Sequence, residues 1–237
     1  MTKRQGNLAV IPARGGSKRL QRKNVLSLCG RPLIEWTIEA AQQAYSISRV
    51  IVSTDCKEIA RVAESAGAEV PFMRPAEYSG DDAPSFDVLS HTVGMIVTGT
   101  RQFESVVLLQ PTSPLRTSEQ IDEASEMFFR RRPDSVISIT SDESGEGCTG
   151  FIDKDSLMSG FPLKEEYQWS DSSQQLYKLN GAIYVTAIDR FSCQQLSTWG
   201  ATRLGYRMEA NDSVDIDTFE DFVKAEKFMH QRLAAKR

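Results

Sequence analysis

A loop of glycine, hydroxyl and cationic residues, Arg14-Gly15-Gly16-Ser17-Lys18-Arg19, follows the apolar run Leu8 to Ile11, and Lys23 comes shortly after it. Two glycines let a backbone approach a ligand closely and adopt positive φ. Exposed N–H groups together with Arg14, Lys18, Arg19 and Lys23 make an anion site, best matched to a polyphosphate. The spacing is neither a P-loop nor a G-x-G-x-x-G dinucleotide fingerprint. Near the other end, Ser213-Val214-Asp215-Ile216-Asp217 puts two carboxylates on one face of an extended segment. Carboxylates beside a cationic polyphosphate loop predict a hard divalent ion, Mg²⁺, shared with the phosphates. Asp217 also stands where it can cap the last helix, a role poorly suited to Asp215. The chain has only His91 and His230, and no G-x-S-x-G elbow occurs. Phosphoryl or nucleotidyl transfer remains, carried by positioning and charge neutralisation.

These residues need a scaffold, and the pattern supplies an α/β one. Strand-like and helix-like segments alternate, as in a parallel sheet with crossover helices. Strands are expected at Leu8–Ile11, Arg49–Ser53, Glu69–Phe72, Ser105–Leu109, Ser135–Thr140, Gly181–Thr186 and Thr202–Met208. Helices are expected at Leu33–Tyr45, with Pro32 in the first turn, and at Lys57–Ala66, capped by Asp55. Further helices are expected at Ser85–Val97, from a Thr117 or Ser118 cap to about Arg131, and from about Thr218 to Leu233. Ligands of open α/β sheets bind beyond the carboxyl ends of the strands. That rule gathers Arg14 to Lys23, Asp55, and the group Gln110, Thr112, Ser113 and Arg116 at one edge.

With 237 residues and 40% hydrophobic side chains, the chain suffices for one large domain. A net charge of -4, from 28 basic and 32 acidic residues, argues against a general nucleic-acid binder. Cys29, Cys56, Cys148 and Cys193 are scattered without a C-x-x-C, as in reduced thiols of a cytoplasmic protein. No stretch has the length of a membrane span, and the polar Met1 to Asn7 does not read as a signal peptide. Residues 141–178 are polar and turn-rich, and are expected to leave the core as a dimerisation arm or a lid.

Several segments together resemble the bacterial CMP-sialic acid synthetases, the acylneuraminate cytidylyltransferases. They are Ile11-Pro12-Ala13-Arg14-Gly15-Gly16-Ser17-Lys18, Lys23-Asn24, Val50 to Asp55, Arg74-Pro75-Ala76-Glu77, Leu108 to Arg116, Asn180-Gly181-Ala182-Ile183-Tyr184 and Asp215-Ile216-Asp217. The resemblance spans nearly the whole chain. It implies a Rossmann-like three-layer nucleotidyltransferase with a mostly parallel sheet and an extended dimerisation arm, hence a homodimer. It implies a reaction of CTP with a nonulosonic acid to give the CMP-sugar and pyrophosphate. By position, Arg14, Ser17, Lys18 and Lys23 would hold the triphosphate, and Asn24, Arg74 and Ser85 would help bind the nucleotide. Gln110, Asn180 and Tyr184 would face the sugar, and Asp215 and Asp217 would hold Mg²⁺, with Lys23, Arg14 and Asp215 closest to the chemistry.

One departure stands out. Well-studied sialic acid members carry arginines before the N-G-A-I-Y segment, whereas Ser170 to Lys178 offers only Lys178 as a cation. A lysine does not reproduce a bidentate arginine contact to a carboxylate. Legionaminic acid is therefore an alternative to N-acetylneuraminic acid as the acceptor. Kdo cytidylyltransferases are the nearest rival, but they resemble a Q-G-D-E-P pattern where this chain has Gln110-Pro111-Thr112-Ser113-Pro114. A non-catalytic CTP-binding paralogue is the rival of another class, and the retained Lys18, Lys23, Asp215 and Asp217 speak against it.

Overall fold

A computed structural model describes residues 6–80, 83–97, 103–142, 148–158, 161, 175–192 and 199–235. The strands are β1 (Asn7–Pro12), β2 (Ser27–Leu28), β3 (Arg31–Pro32), β4 (Ile47–Ser53), β5 (Ser105–Leu108), β6 (Ser135–Ser141), β7 (Thr149–Gly150), β8 (Tyr177–Ala187) and β9 (Arg203–Arg207). The helices are α1 (Leu33–Gln43), α2 (Lys57–Ser65), α3 (Ser85–Ile96), α4 (Ser118–Arg131) and α5 (Phe219–Ala235).

The main sheet has seven strands in the order β4-β1-β5-β8-β6-β9, with β7 added on β8. β1 is parallel to both β4 and β5, and β6 is parallel to β9. β8 runs antiparallel between β5 and β6, so the sheet is mixed but mostly parallel. Alternation sorts β1 between two cores. Ala9 and Ile11 face α1, α2 and α4, while Leu8 and Val10 face α3. This gives three layers, with strands apolar on both faces as a covered sheet requires. α5 packs outside the sheet, where Phe222, Ala225 and Met229 close over Leu28, Leu33, Leu115, Val214 and Ile216. No helix among the described residues is long and apolar enough to cross a membrane.

Most element boundaries expected from the sequence lie within one or two residues of those found. Thr117 caps α4 through a reciprocal capping box with Gln120. Four local expectations change. Glu69–Phe72 forms no full strand; Glu69 and Met73 make single parallel bridges to Ile51 and Thr54. Pro32 sits at the cap position of α1 in extended backbone (ψ 137°), one residue before the first turn. Asp55 does not cap α2, because Cys56 occupies that position without a side-chain bond. Asp217 does not cap α5 either. Thr218 and Asp221 close that end reciprocally, Asp221 N–H donating to Thr218 Oγ1 at 3.2 Å and Thr218 N–H to Asp221 Oδ2 at 2.8 Å. Both displaced aspartates instead engage the segment after β1, Asp55 at Gly15 N–H and Asp217 at Arg19 and Lys23.

About half of the expected excursion over 141–178, residues 143–147, 159–160 and 162–174, falls outside the described residues. Its described parts, residues 141–142, 148–158, 161 and 175–178, lie on the body of the sheet. β7 pairs with β8, Met158 N–H donates to Arg203 O at 2.9 Å, and Gly205 N–H donates to Ser156 O at 2.8 Å. Met158 and Phe161 are buried in the α3-side core.

Candidate active site

The carboxyl ends of β1 and β5 open onto one cleft of about 360 Å³. Its walls include Arg14, Ser17, Lys23 and Asn24 from the first loop, and Arg74, Tyr78 and Ser85 from the segment leading into α3. Gln110, Pro111 and Thr112 come from the end of β5, and Asp215 and Asp217 from the segment before α5. A second cleft of about 400 Å³ shares Arg14, Ser17, Lys23 and Asp217 and adds Lys18, Arg19 and Leu20. Together they form one trough, basic at one end and carrying carboxylates along one side.

The glycine-basic loop is shaped by proximity rather than by unusual torsion. Neither Gly15 nor Gly16 has positive φ, contrary to the expectation from sequence. A Cβ on Gly15 would stand 2.9 Å from Cys56 Cβ, so the first glycine is needed for close packing of two loops. Gly15 N–H donates to Asp55 Oδ1 at 2.8 Å, which ties the loop after β1 to the loop after β4. Asn24 is buried, and its amide donates to Arg14 O at 3.0 Å, fixing the loop from the other side.

Lys23 donates to Ile216 O at 2.6 Å and to Asp217 Oδ1 at 3.0 Å. Arg19 holds the other oxygen of Asp217 at 2.9 Å. The first loop and the last acidic segment are thus joined by charge-assisted bonds across most of the chain length. Val214 and Ile216 are buried, so the alternation that seats them in the α5 core turns Asp215 and Asp217 to the cleft.

Asp215 faces the cleft, yet protein walls most of its surroundings. Loss of solvation pushes its carboxyl pKa up; Asp217 and Asp221 add to that, while a hydrogen bond from Thr112 and the charge of Lys23 oppose it. A cation beside it would reverse the penalty. Two carboxylates with no sulfur or imidazole form a donor set suited to Mg²⁺. Asp215 is the better placed of the two, since both oxygens of Asp217 carry ion pairs. Arg74 is buried, and its pKa is lowered first by desolvation, with Asp55 opposing and Arg14 assisting the shift.

Arg116 has no exposed surface to speak of and organises the Gln110–Arg116 turn from beneath. It donates to Ala182 O at 2.7 Å, Gln110 O at 3.2 Å and Thr37 Oγ1 at 2.7 Å. Burial alone pulls its pKa down to about 9, which leaves it charged at neutral pH.

Two residues expected to face a sugar do not line the cleft. Asn180 is buried, and its carboxamide accepts from Ser138 Oγ at 2.6 Å and donates to Ser213 Oγ at 3.0 Å. Tyr184 is buried on the α3 side of the sheet and stacked with Trp199 at 4.9 Å between centroids. Burial, then the charges of Asp215 and Cys148, raises its phenol pKa. Residues 180–183 form a wide bulge in β8, since Tyr184 pairs with Ile137 while Leu179 pairs with Ile139. At its crest is Gly181, with φ +73°; a Cβ there would lie 2.6 Å from Gln110 Oε1 and 3.4 Å from Asp215 Oδ2. Gly181 is the residue of this segment that meets the site. An N-G pair in an apolar strand is a bulge signal, and it identifies this position without a structure. Lys178, the one cation of the departing stretch, pairs with the buried Asp142 at 3.0 Å. Residues 170–174 lie outside the described residues.

The family description Cytidylyltransferase matches residues 8–228 of the chain. This protein belongs to the cytidylyltransferase family. It is 37% identical over 226 residues to the CMP-N,N'-diacetyllegionaminic acid synthase of Legionella pneumophila, covering 94% of this chain and 95% of that protein. It is 36% identical over 216 residues to the N-acylneuraminate cytidylyltransferase of Escherichia coli, covering 91% of this chain. The chain spans about half the length of that second relative (50%). Its backbone is similar to that of a CMP:2-keto-3-deoxy-manno-octonic acid synthetase solved with CTP. The TM-score is 0.76 at 17% identity, covering 96% of this chain and 99% of the other. That likeness establishes the fold, a Rossmann-like nucleotidyltransferase. In this cytidylyltransferase the trough lies beyond the strand ends, where open α/β sheets bind their ligands.

Proposed function

We propose that this chain activates a nonulosonic acid with CTP, giving the CMP-sugar and pyrophosphate. The observation that carries this reading is the convergence of three things on one trough: the basic loop after β1, Gln110 after β5, and Asp215. The family membership and the named reactions of the Legionella and E. coli relatives support it.

Arg14, Ser17, Lys18 and Lys23 bind the triphosphate at the basic end, and Asn24, Arg74 and Ser85 frame the nucleoside. Gln110, beside the bare face of Gly181, contacts the sugar. The anomeric oxygen of the sugar attacks the α-phosphorus in line. The bond from that phosphorus to the bridging oxygen breaks, pyrophosphate leaves, and the hydroxyl proton passes to solvent. Arg14 and Lys23 offset the charge that gathers on the phosphate oxygens. Asp215, assisted by Asp217, would hold Mg²⁺, which when bound supplies further neutralisation of the phosphates. The reading includes a homodimer in the cytoplasm; the free thiols of Cys29, Cys56 and Cys148 support that compartment.

The experiment is pyrophosphate release from CTP and Mg²⁺ with N-acetylneuraminic, legionaminic, pseudaminic and Kdo acids in parallel. Release with a nine-carbon acid is expected. Release with Kdo alone would move the acceptor to the eight-carbon class, and CTP binding without release from any acid would favour a non-catalytic nucleotide binder.

A further inference from the structure

The β2–β3 hairpin turns through two residues, Cys29 and Gly30, at φ 50° and 83°. Leu28 and Arg31 pair across it, so this is the tight turn that favours Asn, Asp or Gly at its first position. A cysteine there goes against turn chemistry, which points to a use for its sulfur. The left-handed backbone seats Cys29 against α5. Its N–H donates to Glu226 Oε1 at 3.4 Å, and its Sγ lies 3.7 Å from Glu226 O. Glu226 and His230 are one turn apart on α5 and share a face. One ligand atom from each of Cys29, Glu226 and His230 lies within 4.8 Å of the others. None of the three lines the trough.

We propose that Cys29, Glu226 and His230 form a zinc site that staples the β2–β3 hairpin to α5. Sulfur, nitrogen and carboxylate oxygen in one cluster suit Zn²⁺ and not Mg²⁺, which prefers an all-oxygen shell. A thiolate and a carboxylate balance the double charge of the ion. His230 is exposed, which leaves the fourth position open to water. Burial, then the charge of Glu226, pushes the Cys29 thiol up, and a bound cation reverses both influences, so uptake releases a proton. The staple would join the segment just after Lys23 to the helix just after Asp217, the two sides of the ion pair in the trough. This site is independent of the cytidylyl-transfer reading.

The test titrates the purified chain with Co²⁺ as a spectroscopic stand-in for Zn²⁺ and follows the thiolate-to-metal band in the near ultraviolet. One ion per chain is expected, displaced by Zn²⁺ and indifferent to Mg²⁺. Cys29→Ser should abolish the band, and His230→Gln should weaken Co²⁺ binding by roughly tenfold or more. Zn²⁺ should raise the thermal midpoint of the parent chain, raise that of His230→Gln less, and leave Cys29→Ser unmoved. His230 is exposed, so that variant serves if Cys29→Ser does not fold. A band that survives both substitutions, or no band and no Zn²⁺-dependent midpoint shift in the parent chain, overturns the site.

Discussion

Gly15 donates its backbone N–H to the carboxylate of Asp55 at 2.8 Å, joining the loops that leave two adjacent parallel strands. The bond holds the glycine-basic loop in place while adding a negative charge near the proposed triphosphate site. These two effects oppose each other and can be separated. Asp55→Asn keeps the acceptor and removes the charge; Asp55→Ala removes both. Asp55→Ala should raise the KM for CTP about fivefold, the equivalent of roughly one hydrogen bond. Asp55→Asn should change it less than about twofold. Equal losses in the two variants would show that the hydrogen bond is not what matters.

Asp215 is a carboxylate held at a cost, its pKa raised chiefly by lost solvation. Groups strained in this way serve function at the expense of stability. Asp215→Asn should lower kcat by about a hundredfold or more, with Mg²⁺ unable to restore it. Its thermal midpoint should be unchanged or higher. Near-parental turnover at saturating Mg²⁺ would remove Asp215 from the metal site.

Gly181 tests which end of the trough takes the sugar. Gly181→Ala would set a methyl 2.6 Å from Gln110 Oε1 on a backbone with φ +73°. Gln110 is flexible and must swing away, so the KM for the sugar should rise by about tenfold while that for CTP stays within about twofold. Paired initial-rate series in the two substrates decide it. A matching rise for CTP would place Gln110 at the nucleotide instead.

Tyr206 donates its hydroxyl to Glu123 at 2.5 Å. Burial first, and then that bond and the Glu123 charge, raise its pKa above the unfolded value. The unfolded chain loses this proton near pH 10, while the folded chain keeps it to higher pH. The resulting stability is therefore complete below about pH 10 and declines as pH rises beyond it. Urea midpoints at pH 8 and pH 11 should fall less in Tyr206→Phe than in the parent. An equal fall would mean that Tyr206 is not protected in the folded state.

The sequence determined the scaffold and the charged side of the site. Apolar runs of four to seven residues, set between amphipathic segments, admit few arrangements other than a covered parallel sheet, and loops after its strands must cluster at one edge. Arg14, Lys23, Gln110 and Asp215 were legible for that reason. What tertiary structure alone decided is where each side chain points and what it is spent on. Asp55 is drawn from a helix end to the Gly15 N–H, because the loops after β1 and β4 touch. Thr218 and Asp221 cap α5 between themselves, which frees Asp217 for Lys23 and Arg19. Asn180 and Tyr184 were read as sugar contacts from their place in a motif. Both side chains are buried, Asn180 within the bulge of β8 and Tyr184 in the regular ladder beyond it, and the bulge brings Gly181 against Gln110 and Asp215. Three extra residues in β8, an odd number, reverse the faces on the two sides of the bulge, and no local propensity reports which face a distant loop will meet.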